Sequence, residues 1–279
     1  MLESTHCSLE RKSIIYRMKV LEYIKKTKAG HTGGSLSCVD ILNVLYNRIL
    51  NVSPQTFSDA NRDRYIQSKG HSVEALYVVL ADRGFFPESE LETLCQYHSH
   101  YVGHPTRKVD GIEHNTGALG HGLAFSVGVA LSAKKDNASY KVYTLLGDGE
   151  LVEGSNWESM LSAAHYKLDN LTAIIDRNNL QITGRTEDVC GIEPLGAKFR
   201  AFGWSLKIVD GHDITTMTEV LSAIPFEINK PSVIIANTIK GKGVSFIEND
   251  HTWHHHVPND QQYQQAQDEL KKLLADLKI

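Results

Sequence analysis

The sequence has little cysteine, little net charge and no long apolar segment, and each absence argues against a class of protein. Its four cysteines are widely spaced and form no Cys-x-x-Cys pair, which favours reduced thiols in a cytoplasmic protein over disulfides or a zinc site. A net charge of −4 over 279 residues gives no reason to expect a nucleic acid or an anionic membrane as partner. No apolar run approaches the roughly 20 residues of a membrane span, and the N-terminus lacks the apolar centre of a signal peptide.

Histidine, by contrast, is abundant, with fourteen copies. Many of them lie in glycine-containing stretches such as "GHTGGSLS" at 30–37, "KGHS" at 69–72 and "GHPTRKVDG" at 103–111. Side chains in such loops act on ligands more often than they pack in a core. The sequence therefore predicts a binding site rich in histidine.

Hydrophobic periodicity predicts an α/β protein. Apolar runs indicate strands at 64–68, 141–146, 171–176, 204–209 and 232–239. Helical spacing indicates helices at 8–28, 39–50, 74–82, 117–133, 155–167, 213–223 and 260–277, with loops at 30–37 and 97–116. Apolar strands that alternate with helices are typical of a parallel sheet covered on both faces. Because no repeat or linker divides the chain, we expect one three-layer α/β/α domain over residues 1–279, with a helical N-terminal arm.

Polar residues follow two of the predicted strands at the point where each strand ends. Asp148 lies in "LLGDGELVEGSN" directly after strand 141–146, and Asn178 follows strand 171–176. Adjacent parallel strands would bring both to one edge of the sheet, where ligands of such sheets bind. Carboxylate and amide oxygens suit Mg²⁺ or Ca²⁺, and phosphate oxygens commonly complete the shell of Mg²⁺. The pattern predicts a cation that bridges Asp148 to a phosphate, with N–H donors from Gly149 and the following helix.

The stretch that contains these residues resembles a known signature. "GDGELVEGSNWESMLSAAHYKLDNLTAIIDRNN", at 147–179, is similar to the thiamine-diphosphate-binding motif. The flanking motifs resemble the transketolase family and occur in its order: "GHTGGSLS", "KGHSVEALY", "GHPTRKVDGIEHNTGALGHGL", "DGHD" and "TIKGKG…WHHHVP". The resemblance spans about residues 8–260. Since a full-length transketolase is more than twice this long, it implies the pyrophosphate-binding domain alone, as in split transketolases.

The resemblance implies specific cofactor contacts. Asp148, Asn178 and the backbone carbonyl of Leu180 would hold the metal ion. The residues expected to contact thiamine diphosphate are His71, Gly117, Ala118, Leu119, Asp148, Gly149, Glu153, Asn178, Ile182, Lys240 and His254.

The resemblance also implies catalytic residues. His71 and His254 would reach the diphosphate or the reacting centre, and His31 and His104 would line the sugar funnel. Histidines suit this task because they exchange protons near neutral pH. Glu153 and Glu158 would meet their counterparts across a dimer interface, within a proton path between cofactors.

The activity that the resemblance implies is ketol transfer. A transketolase that depends on thiamine diphosphate and Mg²⁺ (or Ca²⁺) moves a two-carbon unit from a ketose phosphate to an aldose phosphate, as in the pentose phosphate pathway. The glutamate that activates the cofactor and the residues that grip the sugar phosphate lie in a pyrimidine-binding domain that this chain lacks. We therefore expect an α2β2 heterotetramer with a C-terminal partner subunit.

Alternatives remain open at this stage. The chain could belong to another thiamine enzyme, such as 1-deoxyxylulose-5-phosphate synthase, or serve as a non-catalytic scaffold that kept the fold. Asp148 and Asn178 could be simple turn residues, and Glu153 and Glu158 could be charges favoured by a helix dipole. Four histidines near the C-terminus compete for the cofactor contact: His251, His254, His255 and His256.

Overall fold

A computed structural model of the protein describes residues 8–277 and forms a parallel sheet between two layers of helices. Cys7 lies outside these residues. The strands are β1 (Arg64–Gln67), β2 (Val142–Gly147), β3 (Leu171–Arg177), β4 (Ser205–Asp210) and β5 (Ser232–Asn237). The helices are α1 (Leu9–Thr27), α2 (Thr32–Val44), α3 (Val73–Asp82), α4 (His121–Lys135), α5 (Gly154–His165), α6 (Thr186–Cys190), α7 (Leu195–Ala201), α8 (Ile214–Ser222) and α9 (Asp260–Asp276).

The strand order places the ends of the central strands side by side. All neighbours pair in parallel, in the order β1-β2-β3-β5-β4. The register sets Gly147 of β2 opposite Asp176 of β3, and Asp176 opposite Ala236 of β5. The carboxyl ends of three strands therefore meet at one edge, as the sequence predicts. Ligands of open parallel sheets bind at this edge.

Alternate residues of the central strands pack into two separate cores. Leu145 and Ile174 face the helices α1, α2, α3, α8 and α9, whereas Leu146 and Ile175 face α4, α5 and α7. Because side chains alternate along a strand, both faces of these strands must be apolar, and every residue of β2 and β3 is buried. The α/β/α fold predicted from the sequence is confirmed.

Helix α1, expected as a helical arm, packs closely against the domain. Its residues Tyr16, Val20, Leu21 and Ile24 have no solvent-exposed surface, and the helix contacts α2, α3 and α9. The core thus extends to α1. Within residues 8–277 no helix is long and apolar enough to cross a membrane.

The predicted loop at 30–37 is wrong, because helix α2 begins at Thr32. Its glycines serve close packing rather than an irregular chain. A Cβ atom on Gly33 would lie 3.0 Å from both Cγ of Lys240 and the carbonyl oxygen of Trp253. Helix propensity alone disfavours these glycines, but tertiary burial of the whole helix outweighs it.

Two other predictions need correction. The helix expected from residue 117 begins at His121, because Gly117 and Gly120 adopt φ values of 143° and 84°, which a right-handed helix cannot contain. Helices α6 and α7 were not predicted. They have five and seven residues, too few for a periodic pattern to appear.

Candidate active site

A cavity of about 490 Å³ lies at the carboxyl edge of the sheet. Its size falls in the range of small-molecule sites, roughly 300 to 1,000 Å³. Twelve of the residues predicted from the sequence line it: His31, His71, Gly117, Leu119, Asp148, Gly149, Glu153, Asn178, Leu180, Ile182, Lys240 and His254. Ala118 is exposed and does not line the cavity, and His104 lies outside the lining as well.

Asp148 lies directly beyond β2 and is buried. Its Oδ1 accepts a hydrogen bond from the Gly149 N–H at 2.8 Å, and its Oδ2 accepts from the Asn179 N–H at 2.6 Å. Burial and the neighbouring Asp176 carboxylate raise the pKa of Asp148 to about 6, whereas Arg177 acts in the opposite direction. The carboxylate is thus held rigidly at the edge of the sheet by backbone donors from two strand ends.

Asn178 and Leu180 lie on the turn that follows β3. The Oδ1 atom of Asn178 accepts from the Leu180 N–H at 3.2 Å, and Asn179 between them adopts a φ of 64°. This left-handed residue reverses the chain, so Asn178 and Leu180 both line the cavity beside Asp148. A carboxylate, an amide oxygen and a backbone carbonyl form a donor set that fits Mg²⁺ or Ca²⁺.

Arg177, which the sequence patterns did not single out, contacts Asp148. Its Nη1 donates to Oδ2 of Asp148 at 3.0 Å and to the Thr186 hydroxyl at 2.7 Å, and its Nη2 reaches Glu187 and Glu193. The guanidinium therefore ties the start of α6 to the strand end. Its position within "DRNN", directly before Asn178, was the available signal.

A second buried ion pair, one member of which lines the cavity, was also missed. Lys69, after β1, pairs with Asp176 at the end of β3, and Asp176 also accepts from the hydroxyls of Ser37 (2.6 Å) and Thr238. Burial alone would raise the pKa of Asp176, but Lys69 and the hydroxyls lower it overall. This network joins β1, β3, α2 and the segment after β5 at the edge where the site is built.

Glu150, in the turn after Asp148, has a structural role that its sequence position did not reveal. It is buried and accepts hydrogen bonds from the Gly120 N–H at 2.9 Å, the Gly147 N–H at 3.1 Å and the Ser68 hydroxyl. Burial raises its pKa, although these donors act in the opposite direction. Glu150 therefore connects the ends of β1 and β2 to the segment before α4.

Five histidine rings converge at one side of the cavity. The ring of His31 lies 5.1 Å from His71, 5.5 Å from His254, 6.1 Å from His104 and 4.7 Å from His255, measured between ring centroids. These residues come from the start of α2, the turn after β1, the long loop before α4 and the loop after β5. Only the tertiary structure brings them together.

Burial keeps the inner histidines neutral. It lowers the pKa of His31 to about 4 and that of His254 to about 3, and it lowers the pKa of His71 as well. Neighbouring cationic groups contribute in the same direction, among them Lys240 in all three cases. A neutral imidazole both donates and accepts a hydrogen bond, so the cluster matches the hydroxyl groups of a sugar.

Lys240 reaches the cavity from the segment after β5. Its Nζ lies 3.0 Å from Nδ1 of His254, and burial lowers its pKa to about 8, with a further contribution from Lys69. The segment is held by His212 of the "DGHD" motif, whose Nε2 accepts from the Ile239 N–H at 2.8 Å. The other ring nitrogen of His212 contacts Asp40 at 2.7 Å, so its proton lies on Nδ1.

The opposite wall of the cavity is apolar and partly open to solvent. Leu119, Val152, Ile182 and Val189 line it, and Ile182 is 66% exposed. The cavity thus has a polar end at the strand termini and an apolar wall, which matches a ligand with a charged group at one end and rings at the other. Glu153 is exposed, as is Glu158 on α5.

Comparison with known proteins identifies the family. Residues 10–271 match the family model described as transketolase, thiamine diphosphate binding domain. The chain is 46% identical to one of the subunits of the apulose-4-phosphate transketolase of Phocaeicola vulgatus, over 97% of this chain and 96% of that protein. It is 38% identical to the 6-deoxy-6-sulfo-D-fructose transketolase subunit SqwG of a Clostridium species, over 95% of this chain and 96% of that protein.

Solved structures agree with these relatives. A transketolase from Campylobacter jejuni superposes with a TM-score of 0.87 at 30% identity and covers 96% of this chain. The match covers 43% of the Campylobacter chain, so this protein corresponds to less than half of that transketolase. On these grounds the chain belongs to the transketolase family, of which it carries the thiamine diphosphate binding domain.

Proposed function

We propose that this chain is the cofactor-binding component of a two-subunit transketolase that transfers a two-carbon ketol unit from a ketose phosphate to an aldose phosphate. One observation carries the proposal: a metal-type donor set and a cluster of neutral histidines line a single cavity at the edge of the sheet. A scaffold that had lost catalysis would have no need to keep both.

The donor set fits the diphosphate end of the cofactor. Asp148, Asn178 and the Leu180 carbonyl would hold Mg²⁺ or Ca²⁺ against the diphosphate oxygens, and Lys240 would add positive charge. Leu119 and Ile182 would pack against the cofactor rings. Bound thiamine diphosphate would supply the carbanion stabilisation that cleavage of a carbon–carbon bond requires.

The histidines would handle the substrate. His71 and His254, whose rings lie 5.2 Å apart beside Lys240, would reach the diphosphate or the reacting carbon. His31 and His104 would orient the sugar through its hydroxyl groups. A low pKa keeps His31 neutral at pH 7, so it can donate one proton and accept another without attracting a counter-ion.

A partner chain would complete the site. The apolar wall at Val152, Ile182 and Val189 leaves each of these side chains more than 40% exposed, next to a cofactor pocket that must exclude water. A C-terminal subunit with the pyrimidine-binding domain would cover this wall, in an α2β2 heterotetramer with Glu153 and Glu158 at the interface. We place the enzyme in the cytoplasm, consistent with its free Cys38, Cys95 and Cys190.

The substrate in this proposal is a sugar phosphate or a related anionic sugar. The names of two relatives specify apulose 4-phosphate and 6-deoxy-6-sulfo-D-fructose, so close similarity is compatible with substrates outside the pentose phosphate pathway. Most residues that would grip the anionic end belong to the partner subunit in this proposal.

Reconstitution tests the proposal. The chain should be mixed with the product of a neighbouring gene for a C-terminal half, with thiamine diphosphate and Mg²⁺, and assayed for ketol transfer from hydroxypyruvate to glycolaldehyde. We expect activity from the mixture and none from either protein by itself. A mixture that assembles but transfers no ketol group would favour a scaffold, and condensation of pyruvate with glyceraldehyde 3-phosphate would indicate a synthase instead.

A further inference from the structure

The three consecutive histidines at 254–256 point in three different directions. His254 enters the cavity and contacts Lys240. The ring of His256 lies against Trp253, with 4.4 Å between centroids. His255 lies against His31 at 4.7 Å and is exposed. Of the three, only His255 extends the histidine cluster outward from the cavity.

His255 lies outside the lining of the cavity, next to a histidine that forms part of that lining. His31, His71 and His254 line it, whereas His104 and His255 contact His31 without lining it. His31 therefore lies between the cavity and the exposed ring of His255. A substrate whose reacting carbon lies at the cofactor, and whose chain extends past His31, would reach His255.

The ring of His255 is free to bind a ligand. Among residues 8–277, neither of its nitrogens takes part in a hydrogen bond, and the same holds for the rings of His31, His71 and His104. Imidazole nitrogens without protein partners are available to form hydrogen bonds with a ligand that is rich in hydroxyl or phosphate oxygens. The ring of His255 packs against His31, with 4.7 Å between the two centroids.

We propose that His255 determines acceptor specificity by hydrogen bonding an oxygen on the distal carbons of the aldose, beyond the carbon next to the aldehyde. This inference rests on the proposed function and deepens it. The oxygen belongs either to a hydroxyl or to a phosphate, and both present the same acceptor to an imidazole N–H. Because His255 contacts no reacting atom, its removal affects binding of the longer acceptor and not the transfer step.

Acceptors of graded length test the inference. In the reconstituted complex, with hydroxypyruvate as donor, kcat and KM are measured for glycolaldehyde, D-glyceraldehyde and D-glyceraldehyde 3-phosphate. Glycolaldehyde lacks the distal carbon. We expect H255A to raise KM about 10-fold for a longer acceptor, which corresponds to about one hydrogen bond, and to leave glycolaldehyde within about 2-fold. If H255A already raises the KM for D-glyceraldehyde, the bonded oxygen belongs to a hydroxyl. If it raises the KM only for D-glyceraldehyde 3-phosphate, the oxygen belongs to the phosphate.

Two further variants separate specificity from loop stability. H255N, which retains a donor and an acceptor, should recover part of the loss. H256A changes the same residue type at the next position and should affect all three acceptors equally. Equal losses with H255A for all acceptors, or none, overturn the inference while the proposed function stands. A wild-type complex without ketol transfer to any acceptor overturns both.

Discussion

The guanidinium of Arg177 lies 3.0 Å from the carboxylate of Asp148, and both side chains are buried. The pair joins the ends of β2 and β3 and leaves Asp148 facing the cavity. A buried charge that loses its partner is costly, because the remaining ion has neither water nor a counter-ion. Arg177 therefore stabilises the edge of the sheet on which the proposed metal site is built.

Replacement of Arg177 by leucine should lower the free energy of unfolding by about 3 to 5 kcal/mol, the cost of breaking a buried ion pair from one side. Urea denaturation of the chain measures it. Arg200→Leu removes an exposed arginine and should change the stability by less than about 0.5 kcal/mol. Similar stability of the two variants would show that Asp148 does not depend on Arg177.

Asp148→Asn should abolish metal-dependent cofactor binding. Asparagine preserves the size of the side chain but removes the charge that a divalent cation requires. It also places an NH2 group next to the N–H donors of Gly149 and Asn179, which now bond the carboxylate. We expect the Kd for thiamine diphosphate with Mg²⁺ to rise at least about 100-fold by calorimetry on the complex. The exposed Asp188→Asn is the control. Tight, Mg²⁺-dependent binding by Asp148→Asn would remove Asp148 from the metal site.

His104→Ala should impair the substrate step and spare the cofactor. His104 packs on Gly117, where a Cβ atom would lie 3.0 Å from the ring, and contacts His31 on the outer side of the cavity. We expect kcat/KM to fall about 10-fold or more and the Kd for thiamine diphosphate to stay within about 2-fold. The opposite pattern would place His104 at the cofactor.

Glu74→Gln should alter how stability depends on pH. Glu74 is buried beneath His31 and accepts from the Ser35 hydroxyl at 2.7 Å and weakly from the His31 N–H. Burial raises its pKa from 4.5 to about 7. Between these two values the folded state keeps a proton that the unfolded chain releases, so the contribution of Glu74 to stability is lost as pH rises from about 4.5 to 7.

Glutamine cannot ionise, so Glu74→Gln should gain stability relative to the parent chain over this window, by up to about 1.4 kcal/mol per pH unit. Urea midpoints at pH 5, 6, 7 and 8 test the trend. Glu219→Gln, on the exposed side of α8, should follow the parent chain at every pH. A constant difference between Glu74→Gln and the parent chain would mean that Glu74 does not titrate in this range.

Local patterns in the sequence determined the fold class and the location of the site. Fully apolar strands followed by polar residues predicted a parallel sheet, because only a sheet covered on both faces buries such strands. The same logic placed Asp148 and Asn178 on neighbouring strand ends, and the register of β2 with β3 agrees. The motifs from "GHTGGSLS" to "WHHHVP" predicted the transketolase family, which the comparisons confirm.

Other features were decided only by the tertiary structure, since they depend on contacts between residues far apart in the chain. The glycines at 33 and 34 lie in a helix because tertiary packing outweighs their weak propensity: Gly33 packs against Lys240 and Trp253, and Gly34 packs against His71. Likewise, no spacing rule distinguishes His255 from His256: one ring meets His31 and the other meets Trp253. The sequence determined which side chains reach the edge of the sheet, and long-range packing decided which of them face each other there.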